Sequence, residues 1–158
     1  MGYIMELREK VGSRPLIMAG ASVLVFNELG HLLLQKRADS LDWGTIGGSL
    51  EPGESLEEAA HRELWEESGL KANTLQLITV ISGADAYYQY PNGDEVYNVT
   101  AVFKAIGIEG TPVLMDDEGL ELRYFDLNEP IPNLNSYAAH VLSESGFLQN
   151  VQKEGAKV

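Results

Sequence analysis

Residues 47–70 read GGSLEPGESLEEAAHRELWEESGL, and this stretch constrains the chain more tightly than any other. A glycine pair leads into the Pro52-Gly53 turn, and the pattern after it predicts a helix from about Ser55 to Ser68. Ser55 with Glu58 three residues on has the form of a capping box, and Gly69 stands where a helix-ending glycine is expected. An α-helix turns about 100° per residue, which puts Glu63, Glu66 and Glu67 within an arc of roughly 100°. Leu56, Ala59 and Ala60 lie on the same side, so the carboxylates border the face the helix buries. Two like charges about 4 Å apart repel by about 1 kcal/mol in water and about 4 kcal/mol near a protein surface. A helix that gathers three there calls for a cation, and the first expectation is a divalent metal site.

Upstream of this stretch, residues 1–13 form a short polar lead, a helical turn or an edge strand. Leu16 to Phe26 is apolar at both alternating sets of positions, the mark of a strand buried on two faces. After the turn Asn27-Glu28-Leu29-Gly30, His31 to Arg37 is expected to return as the second arm of a hairpin. Ala38 to Thr45 reads as a loop carrying Trp43 and Gly44. Downstream, Leu75 to Ser82 reads as a strand. Ala86 to Tyr90 and Glu95 to Ile106 flank Pro91-Asn92-Gly93-Asp94, a hairpin signal. In the longer arm Tyr97, Val99, Ala101, Phe103 and Ala105 are expected to be buried, and Asn98, Thr100 and Lys104 to face water. An acidic loop, Met115 to Gly119, leads to a strand from Leu120 to Asp126. A second helix is predicted over Asn135 to Ser145, stopped by Gly146. Many strands with two substantial helices predict an α/β (α+β) sandwich, a mixed sheet flanked by helices, and a single domain over 1–158.

Composition narrows the function. The chain has 158 residues, no cysteine and a formal net charge of −13. Disulfides, zinc–thiolate sites and a cysteine nucleophile are excluded together, which fits a reducing, cytoplasmic setting. The longest apolar run, Pro15 to Phe26, is too short to span a bilayer, and no leader-like segment precedes it; neither a membrane nor a targeting role is expected. Binding of double-stranded nucleic acid rests on phosphate neutralisation by Lys and Arg, so nucleic acid is not the expected partner. A small anionic ligand remains open, provided a metal and a few local cations meet it.

Carboxylate oxygens select hard ions such as Mg²⁺ or Mn²⁺, and Mg²⁺ shares its shell with substrate phosphates. Gly47 and Gly48 allow close backbone approach, which leaves a carbonyl there free to join the coordination. Arg62, beside Glu63 and four residues before Glu66, can hold a carboxylate in register through forked hydrogen bonds. Clustered acids, a metal and an activated water describe hydrolysis of a phosphate ester or anhydride. The bland alternative is a solvated Glu-rich helix.

The spacing Gly48, five residues, Glu54, seven residues, then Arg62-Glu63-Leu64-Trp65-Glu66-Glu67-Ser68-Gly69-Leu70 resembles the box of the Nudix (MutT-like) hydrolases at every signature position. The motif covers 23 of the 158 residues; LLLQKR (32–37), the tryptophan loop and ELRYFDL (121–127) extend the likeness over most of the chain. The resemblance implies an α/β/α sandwich and water attack on phosphorus in a nucleoside diphosphate linked to another moiety. It implies that Glu63, Glu66 and Glu67 bind the metal with the carbonyl of Gly48 or Gly47, that Arg62 orients them, and that Glu54 supports the loop. Ile46 replaces a proline common before the glycine pair, a change of loop rigidity that leaves every ligand in place.

Other residues follow from the same likeness. Glu118 is a candidate for an extra metal ligand or the general base, a role Glu63 or Glu66 can fill instead; its alternative is a solvated loop acid, and Glu121 shares the argument more weakly. Tyr87, Tyr88 and Tyr90 form an aromatic patch able to stack on a base or to pack the sheet. Arg37 is a candidate for substrate phosphate, as are Lys36 and Arg123. Trp43 is a loop anchor or a base platform, Trp65 packs under a neighbouring loop, and His31, His61 and His140 show no ligand spacing. The expected activity is divalent-metal-dependent hydrolysis of a pyrophosphate bond in a nucleoside triphosphate, dinucleoside polyphosphate, nucleotide sugar or ADP-ribose. A non-catalytic nucleotide-sensing module is the alternative. The third Nudix chemistry, isomerisation of a prenyl diphosphate, relies on a cysteine that is absent. Proteins resembling this one are often homodimers.

Overall fold

A computed structural model describes residues 2–148; residues 1 and 149–158 of the expected single domain lie outside the described part. Helix α1 (Tyr3–Val11) precedes strand β1 (Leu16–Leu24), β2 (Leu32–Arg37), the two-residue β3 (Trp43–Gly44) and β4 (Ile46–Ser49). Helix α2 (Leu56–Ser68) and strand β5 (Lys71–Ile81) follow, then a 3-10 turn at Ala84–Ala86, β6 (Tyr87–Gln89), β7 (Glu95–Glu109), β8 (Gly119–Phe125) and helix α3 (Ser136–Glu144).

Two sheets form, where one mixed sheet was expected. The larger runs β4-β1-β7-β5 with β6 on β7; β1 and β7 are parallel and the other pairs antiparallel. The smaller runs β3-β2-β8. The anticipated β1–β2 hairpin is therefore corrected. Only its turn pairs, through Asn27 N–H to His31 O at 3.0 Å and Leu33 N–H to Val25 O at 2.8 Å. Beyond it the strands part, because both edges of β1 are already taken by β4 and β7.

Helices close the two sides. Leu64, Ala59 and Ala60 of α2 pack on Val23, Ile46, Ala101 and Phe103. Val141 and Leu142 of α3 pack on Leu24, Leu34, Val102 and Ile81. This second layer corrects the wet face predicted for β7. Ala101, Phe103 and Ala105 are buried as predicted, but Asn98 and Thr100 are buried too, because the 3-10 turn and α3 cover the polar side, and Tyr97 is exposed. The covered groups are satisfied: Asn98 donates to Ala86 O at 3.2 Å, and the Thr100 and Tyr137 hydroxyls meet at 2.5 Å.

The polar lead is helix α1. Nine residues make a marginal helix alone, and tertiary bonds hold it. The Tyr3 N–H donates to Glu51 Oε2 at 3.1 Å, and buried Arg8 donates to the carbonyls of Gly12, Arg14 and Glu95 at 2.9, 2.6 and 2.6 Å. Among the described residues no helix is long and apolar enough to cross a membrane.

Candidate active site

Helix α2 begins as predicted. The Ser55 hydroxyl accepts from the Glu58 N–H at 3.1 Å, Glu58 reaches back to complete the capping box, and Gly69 ends the helix at φ 68°. Its Leu64 face sinks into the core, which carries Glu63 and Glu67 inward with it. Glu66, one step round the wheel, stays at the rim with its side chain 48% exposed.

Arg62 organises these acids. Its guanidinium donates to both oxygens of Glu54 at 2.6 and 2.9 Å, to Glu63 Oε1 at 2.8 Å, to Glu66 Oε2 at 3.2 Å and to the Ser49 carbonyl at 3.0 Å. The hydrogen bonds from Arg62 lower the pKa of Glu54, against a smaller opposing effect of burial. Below, Gly47 N–H donates to Glu67 Oε1 at 3.1 Å. A Cβ built on Gly48 would run into the Glu63 carboxylate, so only glycine lets the loop lie against the acids.

Burial, then the charge of Glu63, drives Glu67 well above the ordinary carboxylate range. Burial also raises Glu63, against the hydrogen bonds it accepts from Glu67 and Arg62. Two carboxyls raised together by burial, Glu67 the more strongly, mark a place where a hard cation would relieve their repulsion, so the all-oxygen donor set fits a divalent ion. Among the described residues no three acid or imidazole groups converge around one point, because Arg62 holds Glu66 at the rim and Glu67 turns to Gly47.

Glu63 and Glu67, but not Glu66, line a cavity of about 610 Å³ together with Glu118, Arg37, Asp39, Tyr90, Met5 and Arg8. Burial raises Glu118, helped by the charges of Asp116 and then Glu63, so the loop acid faces the helix acids. Arg37 pairs with Asp39 at 2.8 Å and stands 5.9 Å from the Tyr90 ring centre. A smaller cavity of about 100 Å³ adjoins the first and shares Arg37, Gly47, Gly48 and Tyr90 with it; Tyr88 and Asn135 line its far side.

The aromatic patch divides. Tyr88 and Tyr90 line cavity walls, whereas Tyr87 turns outward, its hydroxyl donating to Glu95 at 2.5 Å and its ring against Tyr97. Trp43 is a buried anchor, edge-on to Phe125. Arg123 stacks on Trp43 and pairs with Glu121, so neither reaches the cavities. Trp65 is exposed with Lys71 over its ring. The α1 side chains, Gln35 and Asn135 have no signal in the sequence. Asn135 is nevertheless placed by its role as N-cap, accepting from Tyr137 N–H and Ala138 N–H while donating to Asp42 and Tyr88.

A model of the NUDIX domain matches residues 16–144. An oxidized purine nucleoside triphosphate hydrolase of Danio rerio is 34% identical over 100 residues, 63% of this chain and 58% of that protein. A NAD-capped RNA hydrolase of Saccharomyces cerevisiae is 28% identical over 113 residues, 66% of this chain and 26% of that protein. The match thus spans between about a quarter and three fifths of these curated relatives. The crystal structure of a MutT NUDIX hydrolase from Burkholderia pseudomallei superposes with a TM-score of 0.68 at 26% identity, over 81% of this chain and 97% of that one.

Proposed function

The chain belongs to the NUDIX domain family, and on that premise we propose that it is a divalent-metal-dependent pyrophosphohydrolase acting on a small nucleoside diphosphate derivative. The observation that carries the reading is the buried Glu63–Glu67 pair, roofed by Gly48, with Arg62 clamping Glu63, in the lining of a nucleotide-sized cavity. We take the whole chain, 1–158, as one domain of this kind.

Glu63, Glu66, Glu67 and the Gly48 carbonyl would hold the ion, Mg²⁺ or Mn²⁺, which supplies Lewis-acid polarisation and a more acidic water. Arg62 keeps Glu63 and Glu66 aimed toward it. Glu118 would accept the proton of the attacking water, a reading supported by its place in the cavity lining and its raised pKa. Arg37 meets a phosphate at the mouth of the acid cluster, and Tyr88 and Tyr90 offer rings to the base. The relatives' names cover a free nucleotide and a capped RNA. A surface of net charge −13 repels a long phosphate chain and favours the free nucleotide.

The test is a panel of nucleoside triphosphates, oxidised purine nucleotides, nucleotide sugars, ADP-ribose, dinucleoside polyphosphates and a 5′-capped oligonucleotide, each with Mg²⁺ or Mn²⁺. With the best substrate, Glu66→Gln and Glu67→Gln each reduce kcat by about 100-fold or more while circular dichroism stays unchanged. Full turnover in both would sink the reading.

A further inference from the structure

Gln35 sits in the middle of β2 with 3% of its surface exposed, on the wall of the main cavity that also carries Glu67 and Glu118. Its amide nitrogen is fully buried and has no hydrogen-bond partner. Native folds rarely leave a buried donor unpaired, because the desolvation loss is not recovered. The only other such group among the described residues, the Ser145 hydroxyl, lies outside both cavities.

The surroundings are shaped to keep the amide where it is. A Cβ on Gly119 would collide with the Gln35 amide, although Gly119 does not adopt a left-handed backbone. Glycine is needed at 119 for room, and the room is filled by Gln35. The residue before it is Glu118, whose carbonyl accepts from the Ala38 N–H at 2.9 Å, so the backbone on this side is pinned to the end of β2. Among the described residues no donor reaches the Glu118 carboxylate. A buried, unpaired donor and an exposed carboxylate with no protein donor on it thus line the same cavity. Of the other acids lining the cavity, Glu67 accepts from Gly47 N–H, Glu63 from Arg62, Asp39 from Arg37 and Asp94 from Ser13 and Asn92, while Asp117 lies next to Glu118 in the same loop.

We propose that Gln35 is the positioning residue for Glu118: once substrate is bound, its amide N–H donates to the Glu118 carboxylate and holds it facing the reacting phosphate. The inference rests on the hydrolase reading above, in which Glu118 works on the attacking water. The fold tolerates an unpaired donor in the free protein because the bond forms in the loaded one.

Gln35→Met keeps the length and bulk of the side chain and removes the donor, which separates structure from function by the sign of two effects. In the full chain, the melting temperature rises by about 2 °C or more, since an unpaired buried donor is gone. With Mg²⁺ and the best nucleotide of the panel, kcat falls roughly 10- to 100-fold while KM stays within about twofold. In a Glu118→Gln background, adding Gln35→Met changes kcat by less than about twofold, because the two groups act as one. Unchanged kcat, a loss that multiplies with that of Glu118→Gln, or a fall in melting temperature alongside kcat overturns the assignment. A wild-type chain that turns over no nucleotide overturns both this inference and the hydrolase reading. Wild-type turnover with an inert Gln35→Met overturns this one alone.

Discussion

Arg62 holds acids that line the main cavity, Arg8 lines it directly, and each guanidinium makes several hydrogen bonds. Arg62 holds three carboxylates and one carbonyl, all within 13 residues of it in the chain. Arg8 holds three carbonyls, one of them 87 residues away, with Asp94 at 3.7 Å. The first clamp belongs to one helix and its loop, and on the proposed function it aims the charges that would do the chemistry. The second is completed only when α1 docks on the β6–β7 hairpin, since its bond to Glu95 spans 87 residues while those to Gly12 and Arg14 are local. One arginine orders an acid cluster; the other fastens a helix.

Substitutions can break this contrast. Arg62→Ala is expected to cost the most activity, roughly 10- to 100-fold in kcat/KM, with weaker Mg²⁺ binding by calorimetry. Arg8→Met leaves three part-buried carbonyls without their donor and is expected to lower stability by about 1–3 kcal/mol in urea unfolding, with KM raised and kcat within about twofold. A kcat loss matching that of Arg62→Ala would erase the distinction between the two clamps.

Titration sharpens it further. Glu63 and Glu67 have folded pKa values raised above the unfolded value near 4.5. A raised carboxyl binds its proton more tightly in the fold. Stability from this pair is therefore greatest below 4.5 and falls as pH climbs through the raised range, by at most about 1.4 kcal/mol per pH unit for each proton. Metal-free protein should show this fall, Mg²⁺ should reduce it, and Glu67→Gln should flatten it; a Glu67→Gln curve as steep as wild type counts against a raised Glu67. Arg8 is held mainly by carbonyls, which do not titrate, so the deficit of Arg8→Met should change less with pH than the stability from the acid pair. The smallest effect is expected of Glu51→Gln. It weakens one exposed bond to the Tyr3 N–H, costs less than about 1 kcal/mol, and should speed amide exchange in the first turn of α1 without touching kcat.

What the sequence could show followed the length scale of the interactions. The Ser55 cap, the Gly69 stop and the inward turn of Glu63 and Glu67 depend on residues a helical turn apart, and all were visible in residues 47–70. The β1–β2 pairing was misread because a turn signal reports that the chain reverses, not which strands later occupy the edges of β1. Asn98 and Thr100 look like a wet face until the 3-10 turn and α3 cover it and supply their hydrogen-bond partners. Alternation does single out Tyr87 and Tyr88 as opposite-facing, yet only the pairing of β6 on β7 decides which of them meets the cavity. Tyr90, past the end of β6, joins the wall through the turn that follows.

By itself the sequence determined the acid cluster, its arginine, its glycine roof and the class of bond such a cluster can hydrolyse, because periodicity and capping are local and the charges repel wherever the helix is placed. Tertiary structure alone decided that Glu66 stays at the rim while Glu63 and Glu67 are buried, that α1 walls the cavity, and that an unpaired Gln35 amide lies against Gly119. Those outcomes depend on burial and on contacts between residues far apart in the chain, and neither exists before the sheets close.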